Sequence, residues 1–368
     1  MADDDPLDLL QPAATRVRDP VSGRSVWLAG VVRGGRVQGD ALHLETAFTD
    51  AHTPDLRAAI VAELAGALGA AGWSGSVVAE EAAPAAPTRP AAPVAGLAGP
   101  GMQPHGGPVR LAPLEGVRHV VAVASGKGGV GKSTVAANLA VGLRRLGLRS
   151  GLVDADVQGP SVPLMLNATA RPGVADDGRL VPVASYGVRC LSMGQLVAPG
   201  EAMAWRGPLV MDAVRQLLQR ARWGELDVLV VDLPPGTGDA QLTLIQAVPL
   251  AGAVVVTTPQ EVALADAVRA FSMFRRLEVP VLGLVENMAW YELPDGRRDP
   301  VFGEGGGERT ALAQGVDLLA QVPLHTSVRR AGDQGLPAVL GKGPVAEAFL
   351  SVARQVAERL GLSVSAPG

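Results

Sequence analysis

The sequence predicts an α/β protein: a doubly wound, mainly parallel sheet preceded by a small α+β domain. Three observations carry that expectation. First, the runs "HVVAVAS", "SGLVDAD", "LDVLVVD", "GAVVVTTP", "VPVLGLVEN" and "LLAQVP" are continuous, rich in β-branched residues and separated by helical segments. Strands that are apolar on both faces belong to parallel sheets covered by helices on both sides. Second, polar residues gather at the carboxyl ends of these runs, at Ser125, Asp154, Asp232, Thr257 and Asn287. Open parallel sheets bind their ligands at that edge. Third, the stretch "AAPAAPTRPAAPVAGLAGPGMQPHGGPVRLAP" reads as a semi-extended linker over residues 82–113.

The linker divides the chain into an α+β domain, 1–81, and a sheet-forming domain, 114–368. In the first, "GVVRGGRVQ" and "ALHLETAF" form a hairpin turning at Gly39-Asp40. Thr53 then caps a helix with Pro54 at its first position, and Leu56, Ile60, Leu64 and Leu68 recur at helical spacing. "SGSVVAE" closes this domain as a strand. With 368 residues, 48% of them hydrophobic, the chain is long enough for both domains to bury a core. A net charge of −4 argues against nucleic acid or anionic membrane as a general partner. The acidic start "MADDDPLDLL" has no apolar signal core, and no run reaches the ~20 apolar residues of a spanning helix, so a cytoplasmic protein is expected. The single cysteine, Cys190 in "VRCLSMG", excludes an internal disulfide and reads as a buried strand residue.

The strongest chemical signal is "GKGGVGKS", Gly126 to Ser133, which fits G-x-x-x-x-G-K-[ST] between a strand and a helix. Gly126, Gly128, Gly129 and Gly131, with Val130, let backbone N–H groups curl around phosphates at a helix N-terminus. Lys132 is expected on the β- and γ-phosphates of ATP, the Ser133 hydroxyl on Mg²⁺ and Thr134 on the α-phosphate. Downstream, "LDVLVVDLPPGTGD" ends a strand at Asp232, which would hold Mg²⁺ through water. The backbone N–H of Gly238 would then sense the γ-phosphate. "LVDADVQGPS" offers Asp154 and Asp156; two close carboxylates raise each other's pKa, so one of them can be purely structural. Asp156, further beyond the strand end, is assigned to position water.

Lys127, directly after the first glycine of the motif, makes K-G-G-x-G-K-[ST], which resembles the deviant Walker A ATPases such as MinD, ParA and the nitrogenase iron protein. That resemblance implies a homodimer in which Lys127 reaches the nucleotide of the other subunit, like an arginine finger given in trans. The stretches "DADVQGPSVP", "WRGP", "LDVLVVDLPPGTGDAQLTLIQ", "TTPQEVALADAVRAFSMF" and "VLGLVENM" narrow the likeness to the Mrp/ApbC-type iron–sulfur cluster carrier ATPases. "RDPVSGRSVWLAGVV" similarly resembles the small iron–sulfur assembly domain found ahead of them. By this resemblance Asn287 reads the adenine edge, and the partners are apo iron–sulfur proteins or a cysteine-bearing assembly protein.

One motif departs from that family. Its members usually carry Cys-x-x-Cys after "ENM", so that two subunits hold one [4Fe–4S] cluster with four thiolates. Here the segment reads "NMAWYELPDGRRDPVFGEGGG", with Leu293 and Asp295 near the cysteine positions. The cysteine usual in the N-terminal domain is missing too, and His52 stands near its place; it reads as an exposed residue before a helix rather than a ligand. "FGEGGG" reads as a connector rather than an anion nest. Trp205 and Arg206 suit either a dimer face or a turn anchored by a buried tryptophan. Two further functions remain in view: a MinD- or ParA-like positioning ATPase, and a scaffold clamped by ATP without a cargo cluster. The apolar stripe Phe349, Leu350, Ala353, Val356 and Leu360 is expected to pack on the sheet rather than on a membrane.

Overall fold

Long β-branched runs bounded by Gly and Asp leave the second half of the chain little choice but a buried sheet. The computed structural model describes residues 6–27, 29–38, 40–81, 113–156, 159–196, 214, 217–246, 248–293 and 295–365. It divides into two units, Met1–His105 and Gly106–Gly368. Most of the linker, together with Trp205, Arg206 and the rest of "WRGP", lies outside the described residues.

The first unit opens with a helix that the sequence reading does not anticipate, α1 (Pro6–Arg16). Leu10, Ala13 and Ala14 on it, with Val17 just beyond, fall at helical spacing and are buried. Strands β1 (Val32–Gln38) and β2 (Ala41–Thr46) pair antiparallel, and β3 (Ser76–Glu81) joins β2 in parallel. Between them α2 (Pro54–Ala70) starts at Thr53, whose hydroxyl accepts from the N–H of Leu56. Ile60, Leu64 and Leu68 of α2 close one core with Leu10, Leu42 and Leu44.

His52 departs from expectation: it is 3% exposed, not a surface residue. Its Nδ1 accepts from the N–H of Thr49 at 3.1 Å, so in the neutral ring the proton sits on Nε2. Nε2 lies 3.0 Å from Asp19 Oδ1, whose carboxylate also accepts from the N–H groups of Val21 and Ser22. These bonds occupy both ring nitrogens, leaving neither for a metal. His52 ties the helix entry to the turn that holds Asp19.

In the second unit β4 (Val117–Ser125) lies at the centre of a nine-stranded sheet. On one side follow β10 (Leu226–Asp232), β5 (Ser150–Asp154), β9 (Val188–Ser192) and β8 (Val183–Ser185). On the other follow β11 (Gly252–Thr257) and β12 (Val281–Glu292), whose outer edge takes both β13 (Arg298–Asp299) and β14 (Leu318–Leu324). All pairs are parallel except β8 with β9 and β12 with β13. Two further short strands, β6 (Gly173–Val174) and β7 (Leu180–Val181), form a separate ribbon.

Helix α3 (Lys132–Arg145) packs on one face with the last helix of the chain, Pro344–Arg359. Phe349, Val352, Ala353 and Val356 of that helix are buried in this layer, so the C-terminal stripe covers the sheet. The opposite face takes the helix Glu261–Arg276 through Ala267, Ala270, Phe271 and Phe274. Cys190 is fully buried on β9, and burial pushes its thiol up, away from the thiolate. With the remaining helices numbered in order, α4 is Val162–Met165, α5 Asp239–Ile245, α6 Glu261–Arg276, α7 Gly306–Gln314, α8 Thr326–Asp333 and α9 Pro344–Arg359.

Candidate functional site

Strand β4 ends at Ser125, and the chain must then turn sharply to start α3 after only six intervening residues. Gly129 and Gly131 take φ of +82° and +83°, left-handed values that glycine adopts without a Cβ penalty. The glycine loop encloses a cleft of about 190 Å³. Lys127, Gly128, Gly129, Gly131, Lys132, Ser133 and Thr134 line it, joined by Asp156 from the end of β5 and Pro235 from beyond β10. The strand ends thus bring together residues that are more than a hundred positions apart in sequence.

Other residues expected at the site stand behind the cleft rather than on its wall. Val130 buries its side chain in the core. Gly126 abuts α6, where an added Cβ would come within 2.2 Å of the Asp266 backbone. Asn287, at the end of the apolar part of β12, donates from Nδ2 to the carbonyl of Val130 at 2.8 Å. It braces the loop from beneath, and a Cβ on Gly131 would strike that same amide at 2.1 Å. Gly238 serves as the N-cap of the short helix α5.

The floor of the cleft is electrostatic. Lys132 Nζ donates to Asp232 Oδ1 at 2.6 Å, with the lysine 6% and the aspartate 0% exposed. Burial raises the Asp232 pKa, and the Lys132 charge opposes that shift. Asp232 Oδ2 is buried without a hydrogen-bond partner among the described residues. An orphaned carboxylate oxygen next to the Ser133 hydroxyl is the oxygen donor set that a hard cation such as Mg²⁺ takes. These residues fit the metal expected from the sequence.

Asp154 and Asp156 separate in role. Asp156 is half-buried on the cleft wall. Asp154 is fully buried and holds the loop that carries Asp156: Oδ1 accepts from the Asp156 N–H, and Oδ2 from the Val162 N–H and the Ser192 hydroxyl. Burial, with the negative charge of Asp232 adding to it, pushes the Asp154 pKa up to about 7. Between the ordinary value of 3.8 and that value the folded chain retains a proton that the unfolded chain releases. Stability gained by burying the neutral acid is therefore complete at low pH and falls as pH rises through this window. Asp154→Asn is expected to flatten the slope, read from urea midpoints at about pH 5 and about pH 8. Parallel slopes in the two proteins would remove the retained proton.

Two contacts had no clear signal in the sequence. Lys127 Nζ donates at 3.3 Å to Oε1 of Gln260, the residue that precedes α6. Glu286, 1% exposed on β12, accepts from the Gly307 N–H at 2.6 Å and from Gln321 Nε2 at 2.7 Å. "FGEGGG" is therefore more than a connector. It opens α7, and the anion at that helix N-terminus is the chain's own carboxylate. The glycine at 307 is needed there, because a Cβ would sit 2.8 Å from the Glu286 carboxyl.

Where a pair of thiols would stand, β12 and β13 form a hairpin. Asp295 closes its turn by accepting from the N–H of Arg297, and the N–H of Leu293 donates to the Arg297 carbonyl. The Arg298 guanidinium lies 4.0 Å over the Trp290 ring. Among the described residues no cluster of three or more His, Cys, Asp or Glu is arranged to hold a metal ion. No helix among them is long and apolar enough to cross a membrane.

A ParA family profile described as NUBPL iron-transfer P-loop NTPase matches residues 116–357. The iron-sulfur cluster carrier protein of Deinococcus radiodurans is 51% identical over 251 residues, covering 67% of this chain and 71% of that protein. Among solved structures, a nucleotide-binding protein from Archaeoglobus fulgidus in complex with ADP has a TM-score of 0.55 at 38% identity, over 61% of this chain and 90% of that one. The septum site-determining protein MinD of Pyrococcus horikoshii, complexed with Mg-ADP, has a TM-score of 0.51 at 23% identity, over 67% of this chain and 98% of that one. The second likeness concerns the fold alone.

Proposed function

We infer the function from one premise: the chain belongs to the ParA-type family of NUBPL iron-transfer P-loop NTPases. On that premise it is an ATP-hydrolysing homodimer that works in the transfer of iron–sulfur clusters to apoproteins, in the cytoplasm. The observation that carries the reading is the buried Lys132–Asp232 pair at the base of a glycine cleft, with Lys127 and Asp156 on its wall. Backbone N–H groups of 128–133 and the start of α3 would hold the phosphates, and Lys132 would exchange its bond to Asp232 for the β- and γ-phosphates. Ser133 and Asp232 would hold Mg²⁺, which supplies neutralisation of charge on the phosphate oxygens. Asp156 would orient the attacking water. Lys127 would add positive charge to the partner's nucleotide as negative charge develops. Asn287 spends one N–H on Val130, and its second N–H and its oxygen would serve the adenine edge. Gly238, at the start of α5, would respond to the γ-phosphate.

The cargo is the substrate of this engine, and the described residues do not offer it a thiolate. Cys190 is buried on an internal strand with its thiol pushed toward the neutral form. The cluster's ligands would then come from a cysteine-bearing partner. Anaerobic reconstitution with iron and sulfide tests this: the chain alone is expected to stay colourless, with a cluster appearing only when such a partner is present. A stable four-iron chromophore on the chain alone would overturn the division of labour.

The engine has its own test. Lys127→Ala is expected to lower ATP turnover by about 10²-fold or more while ATP binding changes little. Turnover equal to that of the unaltered chain would remove the role in trans.

A further inference from the structure

Lys127 lies folded back on its own chain. Its ammonium donates to Gln260 Oε1, and the same oxygen accepts from the Thr258 hydroxyl at 3.4 Å. Gln260 occupies the N-cap position of α6, yet its side chain makes no capping bond and reaches over to the glycine loop instead. The two segments lie in close contact: a Cβ on Gly126 would come within 2.2 Å of the Asp266 backbone of the same helix. The acidic residues of this end of α6 are engaged elsewhere: Glu261 pairs with Arg309, and Asp266 with Arg269. The lysine is thus held by a neutral amide, an acceptor strong enough to fix a long side chain and weak enough to lose it to a phosphate.

We propose that Gln260 is a latch that holds Lys127 within its own subunit and sets how readily the ATP-bound chain dimerises. The proposal rests on the reading that Lys127 acts on the partner's nucleotide. Each subunit must break the Lys127–Gln260 bond before the lysine can extend, so the latch competes with the second copy of the chain for one ammonium group. A stronger latch raises the protein concentration at which dimers form, and a weaker one lowers it. Gln260 is a positioning residue: it acts on Lys127 and touches no reacting atom.

The test is the dimer dissociation constant with ATP and Mg²⁺, measured by analytical ultracentrifugation on the full chain. Gln260→Ala removes the acceptor and is expected to tighten the dimer about three- to fivefold. Gln260→Glu turns the contact into an ion pair and is expected to weaken it about tenfold. A residue that merely supports the fold would weaken the dimer in both variants. In a Lys127→Ala background, Gln260→Ala is expected to leave the sedimentation profile with ATP and Mg²⁺ unchanged, whatever its proportion of monomer and dimer. Shifts in the same direction, or a persisting effect without Lys127, overturn the latch. If the unaltered chain dimerises with ATP, Lys127→Ala does not, and both Gln260 variants match the unaltered chain, the latch alone fails. If ATP produces no dimer and Lys127→Ala hydrolyses normally, the reading in trans fails and takes the latch with it.

Discussion

Lys132→Met is expected to abolish ATP turnover, by about 10³-fold or more, and to destabilise the folded chain at the same time. The two losses have one origin. Lys132 is the cation of a buried pair whose carboxylate, Asp232, is fully inaccessible. Its ammonium donates to Asp232 Oδ1 at 2.6 Å. Removing one partner of a buried pair leaves the other uncompensated, typically at a cost of about 3–5 kcal/mol. Protonation of Asp232 limits that cost at low pH, so the destabilisation should grow as pH rises. A second substitution separates the effects: Lys132→Met with Asp232→Asn should recover stability, because neither charge is left behind, yet remain inactive. Urea unfolding and ATP turnover on the same three proteins provide the check. A Lys132→Met chain as stable as the original at about pH 8 would contradict the electrostatic account.

Gly126→Ala is expected to be far more damaging than Gly129→Ala, the same single-methyl change three residues on in the glycine loop. The new Cβ would lie 2.2 Å from the carbonyl carbon and oxygen of Asp266. Those atoms belong to the backbone of α6, which is fixed on the sheet by Phe271 and Phe274 and has no rotamer through which to yield. Overpacking of this kind costs about 1–3 kcal/mol or more, and here the strain falls on the loop that would hold the phosphates. Loss of ATP affinity should therefore accompany the loss of stability. Gly129→Ala is the informative control. Its φ of +82° makes a side chain strained, at about 1–2 kcal/mol, but nothing lies within 4 Å of the added atom. Fluorescence titration with an ATP analogue should show a much larger loss for Gly126→Ala than for Gly129→Ala. Equal losses would mean that backbone conformation, not the approach of α6, governs the loop.

Much of this protein could be read along the chain. The six main parallel strands stand close to where the apolar runs put them, because a strand buried on both faces has to be continuous in sequence. The antiparallel pairing of β1 with β2 and the Thr53-Pro54 start of α2 follow from strand patterning and capping chemistry. The glycine motif lay in one segment, so its ligand class was legible too. Helix α1 escaped notice because its apolar residues are few and follow an acidic start, and tertiary burial supplies what local propensity lacks.

What the sequence alone determined was the inventory: the phosphate loop, the aspartates at strand ends, the family likeness and the missing thiol pair. All of these are properties of contiguous residues or of their absence. What only the tertiary structure decided was which of those groups meet. It placed Asp154 beneath the loop and Asp156 on the cleft wall, although two positions separate them. It gave Asn287 the Val130 carbonyl, buried His52 against Asp19, and set Glu286 at the start of α7. It also laid Lys127 on Gln260, 133 residues away. The physical reason is that hydrogen bonds and desolvation act over a few ångströms of space, whereas separation along the chain carries no trace of them once the sheet has ordered its strands.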